Sequence, residues 1–419
     1  MSVELLQRAL ANVERSTLVE RLTTLVNIPS PTGSEAEMAR AYDRMLRGIG
    51  MRSVLQSVGD GRYNTVGRLD GAGGSGTSVL FNGHMDTSFG GELGDRGPGF
   101  RTEATIVDDE WMYGMGTFNM KSALVAYATA IDAILKAGIR LRADVVVAGV
   151  AGEIEKAPTG QFEGPLYQGY GVGTKFAISH GAVADVCILG EPTDFNLVLE
   201  HAGSAWFKIT VPGVLAHTAW SDHNRNAISR ASLVVDALNK WMPDYKKGNA
   251  LEGFEPRVNI AAIDGGWAWR GARSPDSCSV YVDVRMPPKM LPTEALAEIR
   301  GVVDGVKAAH AGFEATVDIY CSNPGTSTPD GTAFIREIDT AHREELGKPC
   351  VRTIENWYSD AAHMNRYGIA TVNYGSAGRI RSGGAGWSAS QGEHIHIGDL
   401  EAMTRIYTRL LFRLCGVAK

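Results

Sequence analysis

The sequence predicts an α/β fold in which a larger domain, built on a largely parallel sheet flanked by helices, carries a smaller inserted α+β domain. Apolar runs of strand length alternate with helical periodicities over residues 1–199, a pattern typical of parallel βα units. Residues 200–322 follow the order strand, helix, strand, strand, helix, strand, which resembles a ferredoxin-like unit. We therefore assign residues 1–199 and 323–419 to the larger domain and residues 200–322 to the insertion.

The composition indicates a globular chain whose length of 419 residues favours two domains. The net charge is −6 and lysine and arginine form no run, so we expect neither nucleic acid nor an anionic membrane as a partner. No apolar run approaches the ~20 residues that a transmembrane helix requires, and the charged, helically periodic start does not resemble a signal peptide. The five cysteines are scattered without a C-x-x-C pair. These features favour a cytoplasmic protein.

Three strand-like runs of the larger domain end in polar side chains. The run in TSVLFNGHMD leads to His84 and Asp86. The run in ADVVVAGVAGEIEK leads to Glu153, and the run in ADVCILGEPTD leads to Glu191. Ligands of open α/β sheets bind at the carboxyl ends of the strands. We therefore expect these side chains to lie together at one edge of the sheet.

The H-x-D pair formed by His84 and Asp86 has the spacing of a metal-bound histidine and its orienting carboxylate. Residues two apart in an extended segment face the same side, so the Asp86 carboxylate could fix the tautomer of the imidazole. Further along, in GMGTFNMKSALVA, Asn119 occupies the place where a carboxylate bridging two metals would be the natural ligand. The pattern leaves three interpretations open: a two-metal hydrolase that has lost a metal, a one-metal enzyme, or an inactive relative.

The inserted domain is predicted from its alternating strand and helix patterns. HAGSAWFKITVPG alternates as an amphipathic strand, and NRNAISRASLVVDALNKWM has apolar residues at helical spacing. RVNIAAIDGG and SCSVYVDVRMPP have the composition of strands, and PTEALAEIRGVVDGVKAAHA that of a second helix.

Ordered motifs along nearly the whole chain resemble one enzyme family. They are LVNIPSPTG, FNGHMD, YGMGTFNMK, GEIEK, LGEPTD, GVLAHTA, VNIAAIDGG, VDVRMPP and GEHIHIGDL. The chain is similar to the metallopeptidases and deacylases that include aminoacylase, carboxypeptidase G, acetylornithine deacetylase and succinyl-diaminopimelate desuccinylase. The resemblance implies a metal-binding catalytic domain with a paired metal site and a smaller dimerisation (lid) domain. It also implies a homodimer or higher homo-oligomer.

The resemblance implies roles for the residues at the strand ends. His84 matches the histidine ligand, Asp86 its orienting acid and Glu153 the general base that activates water. Glu191 matches the carboxylate that shares the metal of His84. Asn119 falls where the family has the aspartate that bridges both metals.

This sequence lacks residues that bind the second metal in the family. Ile154 stands where the family has a second glutamate, and Ala389 stands four residues before Glu393, where the family has a histidine ligand. Because all departures fall on one metal, we expect a single divalent ion, manganese, zinc or cobalt. Its remaining ligands are His84, Asn119 and Glu191. In the alternative alignment, His394 or His396 takes the ligand role and Glu155 replaces the missing glutamate, which restores the second metal.

The resemblance and the loop composition also indicate substrate-binding residues. His217, in GVLAHTA, matches the histidine that, in family members, reaches from one subunit into the site of the other and stabilises the oxyanion there. Asn259 and Arg285 match positions that hold a substrate carboxylate. Arg379 and Arg381 lie in the glycine-rich GSAGRIRSGG, a loop expected to border the site, and are further carboxylate ligands because an arginine fork suits a planar carboxylate.

The favoured function is a metal-dependent hydrolase that breaks a C–N bond in a small carboxylate-bearing substrate, of amidohydrolase, deacylase or peptidase type. Water would be activated by one divalent metal and Glu153. The altered metal site also favours an alternative that resembles 5-nitroanthranilate aminohydrolase. In that alternative, hydrolytic deamination of an aromatic amino acid releases ammonia. A third hypothesis, from a different class, is a non-catalytic binding protein.

Overall fold

The computed structural model describes residues 2–418. The chain divides into two compact units. The larger one contains the described residues up to Leu199, Thr328–Thr353, and the residues from Ser359 onward. The inserted unit contains Glu200–Ser327 and Ile354–Tyr358.

The inserted unit therefore extends beyond the range 200–322 assigned from the sequence, and the reason lies in the surroundings of His201. Thr326 pairs with His201 across two short antiparallel strands. The rings of Trp357 and Tyr358 pack against the same imidazole, with centroids 6.1 and 5.6 Å away. These contacts join two stretches outside the assigned range to the inserted unit.

Five α-helices and eight strands begin before the inserted unit, and the last of these strands ends inside it. In chain order they are α1 (Ser2–Ala11), α2 (Arg15–Val26), α3 (Ala36–Gly48), β1 (Arg52–Gly59), β2 (Arg62–Leu69), β3 (Val79–His84), β4 (Thr105–Val107), β5 (Trp111–Tyr113), α4 (Lys121–Lys136), β6 (Val145–Val150), α5 (Val172–Ser179), β7 (Val186–Leu189) and β8 (Leu197–His201).

The inserted unit then contributes seven strands and two α-helices, and six further strands and α-helices follow in the chain. The inserted elements are β9 (Gly203–Pro212), β10 (Ala216–His217), α6 (Ala227–Gly248), β11 (Val258–Gly265), β12 (Arg273–Ser274), β13 (Ser277–Met286), α7 (Pro292–Ala309), β14 (Thr316–Asn323) and β15 (Thr326–Ser327). The final elements are α8 (Ala333–Leu346), β16 (Arg352–Glu355), α9 (Ala361–Arg366), β17 (Ala370–Asn373), β18 (His394–His396) and α10 (Ile397–Leu414).

The main sheet has a parallel centre, which confirms the predicted fold class. Its strand order is β1-β2-β6-β3-β7-β17-β8-β15, with β16 also paired to β8. Strands β6, β3, β7 and β17 run parallel to their neighbours in this centre, and the outer pairs are antiparallel. Every residue of β3, β6 and β7 is buried, because parallel strands are covered by helices on both faces. The near-continuous apolar runs in the sequence reflect this double burial.

The register of the central strands places their carboxyl ends side by side at one edge of the sheet. His84, the last residue of β3, lies opposite Val150, the last residue of β6. Asn82 of β3 lies opposite Leu189, the last residue of β7. The loops that follow β3, β6 and β7 consequently emerge at the same edge of the sheet.

The inserted unit has the ferredoxin-like arrangement expected from its order of elements. Its antiparallel sheet has the order β11-β13-β9-β14, and α6 and α7 pack on it. The core between sheet and helices includes Phe207 of β9, Val282 of β13, Val234 of α6 and Ile299 of α7. No helix within residues 2–418 is both long and apolar enough to cross a bilayer.

Candidate metal and catalytic site

Three buried side chains with metal-binding atoms meet at the carboxyl edge of the parallel strands. His84 ends β3, Glu153 follows β6, and Glu191 follows β7. One ligand atom from each lies within 4.8 Å of the others, and all three residues are buried. The strand pattern of the sequence predicted this convergence.

The imidazole of His84 is oriented by the main chain of Asp86. Nδ1 of His84 lies 2.8 Å from the backbone oxygen of Asp86 but 3.5 Å from the carboxylate oxygen Oδ1. We expected the carboxylate to make the close contact, but the carbonyl does so instead. A proton on Nδ1, donated to this carbonyl, leaves the lone pair of Nε2 available for a metal.

The carboxylate of Asp86 instead holds the start of the loop that carries Glu153. It accepts hydrogen bonds from the backbone N–H of Glu153 at 3.0 Å and of Ile154 at 3.2 Å. The hydroxyl of Thr32 donates to it at 2.9 Å. Asp86 thus orients His84 through its carbonyl and fixes the main chain of the candidate base through its side chain.

The donor atoms around Nε2 of His84 fit a cation. Oδ1 of Asn119 lies 2.9 Å from Nε2, and Oε2 of Glu153 lies 3.8 Å from it. With the ring proton on Nδ1, these atoms present only lone pairs to one another. Oε1 of Glu191 is also buried without a hydrogen-bond partner, which is unfavourable for a carboxylate. A divalent metal held by His84, Asn119 and Glu191 would satisfy these atoms.

Mutual repulsion among buried acids supports the same conclusion. Burial raises the pKa of Glu153 well above its usual range, and the negative charges of Glu191 and Asp360 raise it further. Burial also raises the pKa of Glu191 to about 7, although His84 opposes this change. Burial raises the pKa of Asp360 to about 6. A cation at this edge would offset the cost of keeping several carboxylates ionised together.

Asp360, to which the sequence assigned no role, lies in a buried hydrogen-bonded chain that leads to Asn82 of β3. The hydroxyl of Thr174 donates to Asp360 at 2.5 Å and accepts from the amide of Asn82 at 3.0 Å. The backbone at Gly171 approaches so closely that a Cβ there would lie 2.3 Å from Oδ1 of Asp360. Glycine is therefore required at this position, where φ is +76°.

Glu393 anchors the loop that carries Asn119, a role that the sequence did not reveal. Its Oε2 accepts hydrogen bonds from the backbone N–H of Gly116, Phe118 and Asn119 at 2.7, 3.2 and 3.0 Å. Burial raises the pKa of Glu393 to about 7, although these N–H groups oppose the shift. Three donors on one oxygen fix the main chain of the candidate metal ligand.

Neither histidine of the alternative alignment lies in the metal-competent group. Nδ1 of His394 faces the backbone oxygen of Gly392 at 2.9 Å, and its Nε2 accepts from the backbone N–H of Arg381 at 3.2 Å. Nδ1 of His396 lies 3.4 Å from Asp399. Among residues 2–418, the group of His, Cys, Asp and Glu that could hold a metal contains neither histidine, nor Glu155.

The two arginines of the glycine-rich loop bind carboxylates of the protein itself. Arg379 forms an ion pair with Asp399 at 2.8 Å and lies over the ring of Trp111 at 5.4 Å. Arg381 forms an ion pair with Asp108. These contacts anchor the loop and weaken the expectation that either arginine holds a substrate carboxylate.

The remaining candidates belong to the inserted unit. His217 ends β10, and its Nδ1 accepts a hydrogen bond from the backbone N–H of Ala219 at 3.2 Å. Nε of Arg285 donates to Asp283 at 2.9 Å. Asn259, exposed on β11, is paired in register with the same Asp283. The roles expected for these three residues stay predictions.

A second buried network holds the far end of the Glu153 loop. The guanidinium of Arg62 forms two hydrogen bonds with Glu35, at 2.9 and 2.6 Å. Its Nη1 donates to the backbone oxygens of Gln168 at 2.8 Å and Pro165 at 3.3 Å. Arg62 and Glu35 are both almost completely buried. The loop is therefore held by Asp86 at its start and by Arg62 near its end.

The chain is similar to known proteins in both sequence and structure. The sequence model of peptidase family M20/M25/M40 matches residues 80–413. A succinyl-diaminopimelate desuccinylase from Gluconacetobacter diazotrophicus is 27% identical over 403 residues, which cover 94% of this chain and 95% of the relative. Human carnosine dipeptidase 1 has a similar structure, with a TM-score of 0.74 at 14% identity over 98% of this chain and 99% of its own. An M20 metallo-carboxypeptidase from Sulfolobus solfataricus matches with a TM-score of 0.73 at 15% identity, over 95% and 99%. The two structural matches show a shared fold.

Replacing Arg62 with lysine is expected to loosen the Glu153 loop. Lysine keeps the charge but loses the planar fork and its carbonyl contacts. Loss of hydrogen bonds worth about 1–3 kcal/mol corresponds to a roughly 5- to 150-fold increase in local opening. Hydrogen–deuterium exchange of the amides in residues 153–170 measures this change. Arg52→Lys is the control, because Arg52 forms an exposed ion pair with Asp70. If Arg62→Lys left the exchange of residues 153–170 unchanged and made amides elsewhere exchange faster, Arg62 would not be the anchor of this loop.

Proposed function

The chain belongs to peptidase family M20/M25/M40, and we propose from that premise that it hydrolyses a C–N bond in a small substrate that bears a carboxylate. The observation that supports this proposal most directly is the buried group of His84, Glu153 and Glu191, whose ligand atoms lie within 4.8 Å of one another. A binding protein without catalysis would not require an acid in the position of Glu153 as well as metal ligands.

The proposed site holds one divalent ion, manganese, zinc or cobalt, through His84, Asn119 and Glu191. When bound, such an ion supplies Lewis-acid activation of water and of the substrate. The neutral amide of Asn119 is poorly suited to joining two cations. Ala389 is exposed and carries no ligand atom, and Ile154 likewise supplies none. These residues support one metal per chain.

Glu153 is proposed as the general base and acid. Its carboxylate oxygen lies 3.8 Å from Nε2 of His84, and its main chain is fixed by Asp86. A carboxylate held there can take a proton from the attacking water and deliver it to the leaving nitrogen. The substrate class includes N-acyl amino acids and dipeptides, consistent with the desuccinylase and dipeptidase names of the similar proteins.

Hydrolytic deamination of an aromatic amino acid is the second candidate function. Asn119 favours this reaction, because its neutral amide stands in place of a carboxylate. The donor set then carries less negative charge and is suited to one metal rather than two. The reaction is also favoured by Phe118, next to Asn119, whose ring contacts that of Trp387. In this reaction water attacks the ring carbon that bears nitrogen, and ammonia leaves.

We propose in addition that the protein works as a homodimer. In this arrangement the partner subunit's His217 stabilises the oxyanion that forms on the substrate. Asn259 and Arg285 are proposed to bind the substrate carboxylate. This assembly follows from the family resemblance of GVLAHTA, VNIAAIDGG and VDVRMPP.

Glu153→Gln tests the proposed reaction. The variant is expected to lose turnover by about 10²- to 10⁴-fold, because the amide cannot transfer the proton, while metal content per chain is retained. Turnover is measured as release of free amine or ammonia from N-succinyl-diaminopimelate, N-acetyl and N-benzoyl amino acids, dipeptides and 2-aminobenzoates. Glu163→Gln, at an exposed position of the same loop, is the control. Equal turnover in Glu153→Gln and wild type would exclude the role of Glu153.

Co-expression of two differently tagged variants tests the role of His217. Glu153→Gln and His217→Ala should each be nearly inactive alone. In their mixed dimer, the His217→Ala chain keeps Glu153 and receives the partner subunit's His217, so one site is complete. Random pairing makes half of the dimers mixed, which predicts activity of about a quarter of wild type. Mixed dimers no more active than the separate variants would contradict action across the dimer.

A further inference from the structure

The side chain of Trp387 touches two aromatic rings and yet stays partly exposed. It exposes 48% of its surface, whereas large aromatic side chains are usually mostly buried. Its contacts with Phe118 and Phe100 are edge-to-face, at interplanar angles of 71° and 90°. Neither phenyl ring therefore lies parallel to the indole and covers it as a stacked ring would.

The segment that begins with Trp387 crosses the loop that carries Asn119. At one end, the ring of Trp387 lies 5.8 Å from that of Phe118. At the other end, Glu393 accepts a hydrogen bond from the backbone N–H of Asn119. The exposed indole is thus joined directly to the residue that precedes the candidate metal ligand.

The loop before Trp387 is fixed at its base and open at its tip. The backbone N–H of Gly386 donates to Gly378 at 2.7 Å, and Arg379 is held by Asp399. A Cβ at Gly383 or Gly384 would meet no atom within 4 Å. The base fixes where the indole lies, and the space beside Gly383 and Gly384 at the tip is open.

We propose that Trp387 forms a wall of the substrate pocket and selects substrates that carry an aromatic ring beside the scissile C–N bond. A ring stacked on the indole would gain about 0.5–1.5 kcal/mol beyond the burial of its area. A saturated ring of the same size has no π-system and would not gain it. This inference rests on the proposed function, because it assigns the substrate class of the same site.

Binding of unreactive ligands tests the wall without requiring turnover. Benzoate and cyclohexanecarboxylate have the same charge and nearly the same size, so the ratio of their Kd values isolates the aromatic contribution. We expect manganese-loaded wild type to prefer benzoate. Trp387→Ala should lower that preference by roughly 2- to 12-fold, the fold-change that corresponds to about 0.5–1.5 kcal/mol. Trp387→Phe should retain most of it, and Trp269→Ala is the control because Trp269 is also exposed.

The same variants separate failure of the inference from failure of the proposed function. In kinetics, Trp387→Ala should raise KM for N-benzoylglycine relative to N-cyclohexanecarbonylglycine, with little change in kcat. An unchanged ligand preference in Trp387→Ala overturns the inference whether or not the protein hydrolyses anything. A preference lost in Trp387→Ala, together with no turnover of any substrate, supports the wall and rejects the proposed function. If Trp387→Ala instead changes the oligomeric state, the indole is a subunit contact and the inference is wrong.

Discussion

The structure of the site depends on the electrostatic cost of burying several acids beside one imidazole. Parallel strands end at one edge, so the residues after them converge whether or not their charges are compatible. Glu153, Glu191 and Asp360 all have raised pKa values because burial, and then one another's charge, disfavours ionisation. A divalent cation would offset both effects. The convergence of the strand ends thus accounts for the cluster of buried acids and for its suitability as a metal site.

Carboxylates outside the donor set hold the main chain of the site. Asp86 binds N–H groups at the start of the Glu153 loop, and Glu393 binds those of the Asn119 loop. Glu35 acts through Arg62 on the far end of the Glu153 loop. Each anchor is buried, where charge-assisted hydrogen bonds are strong and an unpaired partner is costly. Glu153 and Asn119 can therefore keep their positions although they lie on loops.

The sequence predicted the elements and residues that depend on local pattern. Apolar runs followed by His84, Glu153 and Glu191 were sufficient to predict their convergence, because strand direction fixes where each loop emerges. The anchor formed by Glu393 could not be predicted, since it bonds Asn119 across 274 positions without any shared periodicity. The pairing of Arg379 with Asp399 was hidden for the same reason, because a sequence does not show which charges are already bound to one another.

We propose above all that the donor set around His84 holds one divalent ion. The most direct measurement is metal content per chain by elemental analysis, after reconstitution with manganese, zinc or cobalt, on wild type and on Asn119→Asp. We expect about one ion per wild-type chain, with three protein ligands as in other catalytic sites. We expect about the same for Asn119→Asp, because Ile154 and Ala389 still supply no ligand. Two ions per wild-type chain would contradict the single-metal site, and no bound ion under any condition would contradict the metal centre itself.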